Sequence, residues 1–304
     1  MKTRPLTKNS FGTFTKFEDL TSDEQELVKL ARSAAASSER NQLCFLSNFP
    51  VGAAILARNE KGEILKFGGC NVESKFFTSI CAERNAATTL AYQGYKHFLC
   101  IALVCRVFPC GLCRQFLRQF GPDAILLNIV DRENRARRTT VGALLPAATN
   151  GPVPYSQLDP IEQRLVRSAI RLKSRSYVPY SKHRRAALFI ATNNRNKQRV
   201  FEGVSDEIAS CGGSAMAETV AMRTARTASY DRDVKLIVTV DEPNGINQID
   251  GESLQVLREF GPDAPILLVG TDKSVVTSTL DELLPNSFGP ENYSFRTRDR
   301  PLPV

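Results

Sequence analysis

The stretch Cys81-Ala82-Glu83-Arg84, read together with Pro109-Cys110-Gly111-Leu112-Cys113, organises the rest of this chain. Each stretch introduces a run that is typical of a helix, and one helical turn can aim both sulfurs of the Cys-x-x-Cys pair at one point. Three thiols suit a catalytic zinc ion, which takes three protein ligands and keeps one position open. Glu83, two residues after the first ligand, would lie beside the metal without binding it. A structural zinc site would need a fourth ligand, and the sequence offers none at a sensible spacing.

The composition is that of a soluble globular protein, with 42% hydrophobic and 24% charged residues among 304. That length is sufficient for two domains with their own cores. No apolar run approaches the roughly 20 residues that span a bilayer, so no membrane association is expected. The formal net charge of +8 is compatible with nucleic-acid contact. The basic residues are spread out and mixed with acids, however, which favours a solvated or subunit-facing surface.

Compartment is predicted from the cysteines and the N-terminus. Eight cysteines without an apolar leader indicate a reducing compartment, and therefore thiols and metal ligands rather than disulfides. The cytoplasm is the expected location. The basic, acid-free N-terminus is also compatible with an organellar presequence, such as a mitochondrial one, but residues 1–19 are more simply interpreted as a flexible arm.

Alternating helices and strands predict a layered α/β sheet. Thr21 to Glu24 resembles a capping box at the start of a helix, and Asn59 to Gly62 reads as a hairpin turn between two strands. The same plan begins again after a linker near Pro146. Leu257-Arg258-Glu259-Phe260-Gly261-Pro262-Asp263-Ala264 nearly copies Leu117-Arg118-Gln119-Phe120-Gly121-Pro122-Asp123-Ala124. We therefore predict a duplicated domain, with copies at 20–150 and 151–304.

The second copy has lost the thiols of the first. Aligning the repeats matches Cys81 with Met216, and Cys110 and Cys113 with Asp250 and Ser253. Because a thioether, a carboxylate and a hydroxyl cannot replace three thiolates around zinc, the second copy is expected to be metal-free. Its glutamate survives, since Glu218 falls where Glu83 stands in the first copy. One zinc ion per chain, in the N-terminal domain, is the prediction.

Residues 20–150 resemble the cytidine deaminases throughout. The resemblance rests on four segments: Phe49-Pro50-Val51-Gly52-Ala53-Ala54, Gly69-Cys70-Asn71-Val72-Glu73, Cys81-Ala82-Glu83-Arg84 and Pro109-Cys110-Gly111-Leu112-Cys113-Arg114-Gln115. It implies three-layer α/β/α domains, each with a mixed five-stranded sheet. The all-cysteine ligand set is similar to that of the homotetrameric members, whereas the degenerate second domain is similar to that of the dimeric ones. A homodimer that mimics a four-domain core is therefore expected.

The resemblance also implies roles for individual residues. Glu83 would shuttle protons, and Arg84 would hydrogen-bond ligand sulfur and offset the negative charge of three thiolates. Asn71 and Glu73 match the positions that hold the ribose 3′-hydroxyl, while Phe49 and Ala82 would contact the nucleoside. A phosphodiester would clash at that hydroxyl, which argues for free cytidine or deoxycytidine. Capping side chains at a strand end and a plain core phenylalanine are the alternatives for these positions.

One departure from the family concerns a phenylalanine near the domain end that reaches a neighbouring active site. The first copy has Thr149 there, while the second keeps Phe288. The sequence therefore predicts that Phe288 of the inert domain completes a catalytic site. The function expected is hydrolytic deamination of cytidine and deoxycytidine in pyrimidine salvage. An RNA- or DNA-editing deaminase and a non-catalytic zinc-stabilised binding protein are the alternatives.

Overall fold

Helix α1 (Ser22–Arg40) begins at the predicted capping box. Thr21 Oγ1 accepts a hydrogen bond from the Glu24 N–H at 3.3 Å, and Glu24 Oε2 accepts one from the Thr21 N–H at 3.0 Å. These two bonds satisfy backbone donors that the first helical turn leaves without partners. Helix α4 (Pro160–Leu172) begins in the same way, with Asp159 and Glu162 forming its capping box. The two helices that the sequence relates to each other therefore start by the same local mechanism.

The computed structural model describes residues 12–74, 79–129, 135–240, 249–270 and 273–292. The chain divides into two units, of which the first extends to Leu144 and includes Pro290–Asn292. The second unit spans Leu145–Gly289, so it begins before the predicted boundary at residue 151. The reason is that Leu145 and Ala148 are buried in the hydrophobic core of the second unit.

The first unit is built on a mixed sheet of six strands in the order β1-β6-β5-β4-β2-β3. Only β4 and β5 pair in parallel, and every other neighbouring pair is antiparallel. The strands are β1 (Thr13–Lys16), β2 (Gly52–Arg58), β3 (Ile64–Cys70), β4 (His97–Val104), β5 (Ile125–Ile129) and β6 (Arg135–Thr140).

Strand β1 corrects two expectations from the sequence. The sheet of the first unit has six strands rather than five, and residues 13–19 are a strand and a 3-10 turn instead of a flexible arm. The N-terminal segment pairs with the edge of the sheet along β6, where unpaired backbone groups of an edge strand are available. Phe14 lies 5.1 Å from the guanidinium groups of both Arg135 and Arg137. Residues 1–11 of the predicted arm lie outside the described residues.

Helices cover both faces of this sheet because successive residues of β2 point to opposite sides. Ala54 belongs to the cluster on the face of α1, with Leu27 and Val28. Ile55 belongs to the opposite cluster, with Leu90 of α2 (Ala82–Tyr92) and Leu117 of α3 (Gly111–Phe120). The side chains of β2 thus join all three helices to one sheet.

A close contact at Gly69 fixes the height of α2 above the sheet. A Cβ atom at Gly69 would lie 2.5 Å from the backbone nitrogen of Ala86, a distance that real Cβ atoms do not adopt. The backbone of α2 therefore packs directly on β3, and any side chain at position 69 would push the helix away. This contact sets the position of the first turn of α2, which carries Glu83.

The second unit contains a five-stranded mixed sheet in the order β11-β10-β9-β7-β8. Its pairing directions match those of the first sheet without β1, since only β9 and β10 are parallel. Gly203 lies against α5 as Gly69 lies against α2, and a Cβ there would be 2.1 Å from the Ala217 carbonyl oxygen. The elements are β7 (Ala186–Asn193), β8 (Gln198–Val204), α5 (Ala217–Thr227), β9 (Tyr230–Val240), α6 (Gly251–Phe260), β10 (Ile266–Val269), β11 (Val275–Ser278) and α7 (Leu280–Leu283).

Among the described residues, no helix combines the length and the apolar character that crossing a bilayer requires.

Glu24 links the start of α1 to the sheet, and we predict that its charge stabilises the first unit. Besides its part in the capping box, Glu24 Oε1 accepts a hydrogen bond from Arg138 Nη1 at 2.6 Å. Burial raises the pKa of Glu24, but the bonds from Thr21 and Arg138 outweigh it and leave the pKa lowered. We expect Glu24→Gln to reduce the free energy of unfolding at pH 7 by about 1 to 2 kcal/mol, as for a hydrogen bond to a charged group. Chemical denaturation measures this loss.

The sign of the pH dependence follows from the lowered pKa. The stabilisation is present above the ordinary carboxyl pKa and is lost as the pH falls through the folded-state value. The difference between wild type and Glu24→Gln should therefore be largest at pH 7 and shrink below pH 4. Glu26→Gln is the matched control, because that exposed carboxylate pairs with Lys66 at the surface and should contribute little. A difference that stayed constant with pH would contradict the prediction.

Candidate active site

The three cysteines predicted as ligands meet where two helices begin. Cys81 is the N-cap residue of α2 and Cys110 is that of α3, and neither side chain caps its own helix. Cys113 is the third residue of α3, so its side chain lies on the same side of the helix as that of the N-cap residue. The Sγ atoms of all three lie within 4.8 Å of one another, and those of Cys81 and Cys110 are 3.9 Å apart.

This arrangement fits a zinc ion. Four ligands at Zn–S distances of about 2.3 Å in a tetrahedron stand about 3.8 Å apart, close to the spacing observed here. Across the described residues, the only group of metal-ligating side chains that meets this criterion consists of these three cysteines. Three protein ligands would leave the fourth position for water or substrate, which is the pattern of a catalytic site.

The three thiols share hydrogen bonds that spread their pKa values apart. Hydrogen bonding from Cys113 and Cys81 holds the pKa of Cys110 well below its usual value. Hydrogen bonding to Cys110 raises the pKa of Cys113 and brings that of Cys81 to about 11. One thiolate, stabilised by two neighbouring thiols and by the positive end of a helix dipole, is therefore the favoured state before a metal binds.

Glu83 lies in the first turn of α2 and is only 4% exposed. Burial raises the pKa of its carboxyl group to about 8, and the negative charge on Cys81 adds to this effect. A hydrogen bond from Cys113 acts in the opposite direction. A carboxyl group whose pKa is near neutrality can both take up and release a proton at physiological pH, which is the requirement for a general acid–base catalyst. The interactions with Cys81 and Cys113 place this carboxyl group beside the cysteine cluster.

Arg84 follows Glu83 in the first turn of α2. It is half-buried, and its Nη2 donates to the Ser79 carbonyl oxygen at 3.4 Å. Burial lowers the pKa of Arg84, but the charges of Cys113 and Cys81 outweigh it and leave the pKa raised. A hydrogen bond to Cys81 contributes to this shift. The charges of the cysteine cluster therefore act on Arg84, and its role in charge compensation stays a prediction.

Arg114 is a second cation at the cluster, and sequence reasoning did not single it out. It follows Cys113 in α3 and is 1% exposed. Its Nε donates to the Pro109 carbonyl oxygen and its Nη1 to that of Leu144, both at 2.7 Å. Burial lowers the pKa of Arg114 to about 9, while the charges of Cys110, Cys113 and Glu83 act to raise it. A charged residue directly after a ligand, within an otherwise apolar helix face, was the available signal.

Asn71 stabilises the segment before β2. Its Oδ1 accepts hydrogen bonds from the Val51 N–H at 2.9 Å and from Ser38 Oγ at 2.8 Å. Its Nδ2 donates to the Phe49 carbonyl oxygen at 3.0 Å. The side chain therefore holds the backbone on both sides of Pro50, and its second amide N–H keeps the capacity for a ligand hydroxyl.

Glu73 has a similar bracing role. Its Oε2 accepts hydrogen bonds from the backbone N–H groups of Leu46 at 2.6 Å and Ser47 at 3.1 Å, and its Oε1 accepts one from Ser47 Oγ. Glu207 of the second unit makes the same three bonds with Tyr180 and Ser181. Since the second unit lacks the three thiols, this brace does not depend on a metal site, and the capping role considered from sequence is present alongside any role in binding.

The other residues predicted to contact the nucleoside, Phe49, Ala82 and Phe288, lie in different surroundings. Phe49 is half-buried and follows Asn48, whose φ of 51° turns the chain before β2. Ala82 is fully buried against Ala53 and Leu103, so only its backbone at the start of α2 is suited to meet a ligand. Phe288 belongs to the second unit, where it is half-buried and its carbonyl oxygen accepts a hydrogen bond from Gln255 Nε2 at 2.8 Å.

The corresponding place in the second unit holds an arginine instead of thiols. Met216 and Asp250 are the N-cap residues of α5 and α6, at the positions of Cys81 and Cys110. Arg185 is 8% exposed, and its Nη1 lies 3.5 Å from Glu218 Oε1 and 3.7 Å from Asp250 Oδ2. The guanidinium group of Arg185 therefore lies between the carboxylates of Glu218 and Asp250.

Part of this chain is similar to known deaminases. The family model described as the cytidine and deoxycytidylate deaminase zinc-binding region matches residues 21–129. A cytidine deaminase of Sporosarcina psychrophila is 37% identical over 107 residues, which are 34% of this chain and 76% of that protein. A probable cytidine deaminase of Dictyostelium discoideum is 38% identical over 114 residues, or 36% of this chain and 75% of its own.

Two further matches are a relative that is similar over a longer stretch and a solved structure. A cytidine deaminase of Aliivibrio fischeri is 24% identical over 273 residues, covering 86% of this chain and 87% of that protein. The crystal structure of a cytidine deaminase from Burkholderia pseudomallei is 29% identical, with a TM-score of 0.38 over 41% of this chain and 97% of its own. The motif residues that meet in one cluster, the family model and the relatives that are more than 30% identical show that this chain belongs to the cytidine deaminase family.

Proposed function

We propose that this protein is an enzyme that hydrolytically deaminates cytidine and deoxycytidine to uridine and deoxyuridine, releasing ammonia. The observation that carries the proposal is the buried carboxyl group of Glu83 beside three thiols at the start of two helices. A non-catalytic zinc protein would have no need for a carboxyl group that burial places near neutral pKa at this position. Zinc, when bound by Cys81, Cys110 and Cys113, supplies hydroxide near neutral pH by lowering the pKa of a water molecule.

Glu83 moves the protons of the reaction. Deamination at C4 of cytosine requires one proton at N3 and further protonation of the departing amine. Glu83 takes up the first proton of the attacking water and delivers it to N3. It then takes the remaining proton from the C4 hydroxyl group of the addition product and delivers it to the amine, which leaves as ammonia while the C4 carbonyl forms. Its burial suits this role, because low solvent access keeps the exchanged proton on the carboxyl group or on the substrate.

Arg84 offsets the charge of the ligand set. Three thiolates outweigh a zinc dication and would make the site less able to stabilise hydroxide. The half-buried guanidinium of Arg84, together with the dipoles of α2 and α3, adds positive charge where the sulfurs lie. We therefore assign Arg84 to charge compensation.

Asn71 and Glu73 select a free nucleoside. Both side chains hold the segment 46–51, and an amide nitrogen and a carboxylate keep hydrogen-bonding capacity beyond the bonds described. A site that hydrogen-bonds a ribose 3′-hydroxyl rejects substrates without it, and a phosphodiester at that position would meet a carboxylate. Phe49 and the backbone of Ala82 complete the nucleoside pocket. Pyrimidine salvage is the process that a deaminase of free nucleosides serves.

We further propose that the two units are copies of one three-layer domain, of which only the first catalyses. The strand order that the two sheets share apart from β1 supports this, as does the relative with similarity over 86% of the chain. One zinc ion per chain is the expected content, because Met216, Asp250 and Ser253 cannot form a thiolate shell. A homodimer would then assemble four such domains, and its cysteine chemistry suits a reducing compartment such as the cytoplasm.

We predict that zinc affinity rises steeply with pH. The raised pKa values of Cys81 and Cys113 mean that these thiols carry protons at neutral pH and must lose them on binding. Each released proton changes the affinity about tenfold per pH unit, so at least about a tenfold increase is expected from pH 7 to pH 8. Competition with a chromophoric chelator measures both affinity and stoichiometry. An affinity independent of pH, or two zinc ions per chain, would contradict the assignment.

We predict that Glu83→Gln loses deamination and keeps zinc. Because the amide cannot shuttle protons, kcat for cytidine should fall by about 10²- to 10⁴-fold, while zinc content stays at the wild-type level. Ammonia release and the change in ultraviolet absorbance of cytidine measure the rate. Glu218→Gln is the matched control, since it changes the equivalent glutamate of the second unit and should leave kcat/KM for cytidine unchanged.

The same assay separates the alternative functions. Wild-type activity on free cytidine but not on a single-stranded oligonucleotide supports the proposal. Activity on the oligonucleotide alone would identify an editing enzyme, and activity on neither would identify a binding protein.

We predict that Phe288 contributes to catalysis in the assembled enzyme. The first copy has Thr149 at the matching place, so the aromatic ring must come from the second copy, of this chain or of a partner. Phe288→Ala should reduce kcat/KM for cytidine about tenfold through loss of aromatic packing, whereas Phe288→Tyr should retain most of it. Unchanged kcat/KM in Phe288→Ala would remove Phe288 from the site.

A further inference from the structure

Arg114 is among the largest fully buried side chains of the described chain. It projects from α3 one residue after the ligand Cys113, and its charge interacts with Cys110, Cys113 and Glu83. An arginine is rarely buried completely unless it is paired, because transfer of a charge out of water is costly. Its two described hydrogen bonds go to neutral carbonyl groups, those of Pro109 and Leu144. Negative charge that favours a buried guanidinium here comes from Cys110, Cys113 and Glu83.

The ligand set carries more negative charge than a zinc ion neutralises. Three thiolates contribute three negative charges and zinc two positive ones, so ligands and metal together keep one negative charge. Glu83 adds a second negative charge whenever its carboxyl group is ionised. The charges of Arg84 and Arg114 both interact with these groups, and together they balance the site in the state in which Glu83 is ionised. Such balance matters because the interior screens charges poorly.

The second unit provides an internal comparison. Helices α3 and α6 have the same length, and their alignment places Leu254 at the position of Arg114. Leu254 is 1% exposed, so the position is equally buried in both units. Likewise, Thr219 of α5 stands at the position of Arg84. Where the thiols are absent, both arginines are absent too, and the remaining carboxylates are approached by Arg185 from a different position.

This comparison separates charge compensation from a requirement of the fold. Arg114 donates to the carbonyl groups of Pro109 and Leu144. If the fold itself required an arginine for such bonds, α6 would need one as well. Instead α6 packs into the same type of sheet with leucine, in the apolar core of the second unit. Arg114 is therefore present in the unit that has the three thiols, and the fold alone does not require it.

We propose that Arg114 is a positioning residue for the zinc site, whose buried guanidinium stabilises the three-thiolate ligand set and holds the Pro109–Cys110 peptide in place. The inference rests on the proposed function only through the identity of the metal. Because Arg114 acts on the ligands and does not touch substrate, its loss should affect zinc affinity and kcat far more than KM for cytidine.

The test is a thermodynamic cycle on the full-length protein, with zinc alone as the probe. Zinc affinity is measured by chelator competition for wild type, Arg114→Leu and Arg114→Lys, and chemical denaturation is followed with and without zinc. Arg114→Leu should weaken zinc binding about 10- to 100-fold, as removal of outer-shell partners does. Arg114→Lys should restore part of the affinity, because it returns the charge without the planar hydrogen-bonding fork. KM for cytidine should stay within about twofold in the zinc-loaded variants.

The control is Arg138→Leu, which removes an arginine of the same unit that pairs with Glu24 and not with the thiols. It should lower stability equally with and without zinc and leave zinc affinity unchanged. Zinc affinity of Arg114→Leu within twofold of wild type, with equal destabilisation in both states, would show a purely structural role and overturn the proposal. If Arg114→Leu does not fold, the zinc affinity of Arg114→Lys decides the test. The proposal then requires a zinc affinity below one-third of the wild-type value, and a higher affinity would overturn it. Zinc binding by wild type without deamination would refute the proposed function and leave this inference standing.

Discussion

Three thiols and a carboxyl group are brought together where α2 and α3 begin, and this shapes the charge distribution of the first unit. Water has little access to Glu83 and Cys113, so positive charge for any ionised member must come from the protein. The N-termini of α2 and α3 provide partial positive charge there, and Arg84 and Arg114 provide full charges. The sheet contributes by the close approach of β3 to α2 at Gly69, which sets the position of the helix turn that carries Glu83.

One local geometry is used for three different purposes in this chain. An N-cap residue and the residue three positions later lie next to each other at a helix start. At Thr21 and Glu24 this adjacency forms a capping box, and at Cys110 and Cys113 it brings two sulfurs into one cluster. In α6 the carboxylate of Asp250 instead accepts the Ser253 N–H at 2.8 Å. The same backbone geometry thus caps a helix in one place and gathers thiols in another.

The second unit shows what the scaffold does without a thiolate site. Its glutamate remains buried, but an arginine from the segment before β7 supplies the opposing charge. Glu207 accepts the same set of hydrogen bonds in the second unit as Glu73 does in the first, including one from a serine hydroxyl group. Bracing of the segment before the first central strand is therefore common to both units and does not require the three thiols.

Sequence patterns were sufficient to predict the helix starts and the three cysteines that meet, because these features depend on residues close together in the chain. The capping box at Thr21 and the helix starts at Cys81 and Cys110 follow from local spacing. The pairing of β1 with β6 and the burial of Arg114 depend instead on tertiary contacts. A basic, hydroxyl-rich segment becomes a strand only where an open sheet edge meets it, and an arginine is buried only where distant groups supply opposite charge. Such contacts join residues far apart in the sequence, so no local sequence pattern predicts them.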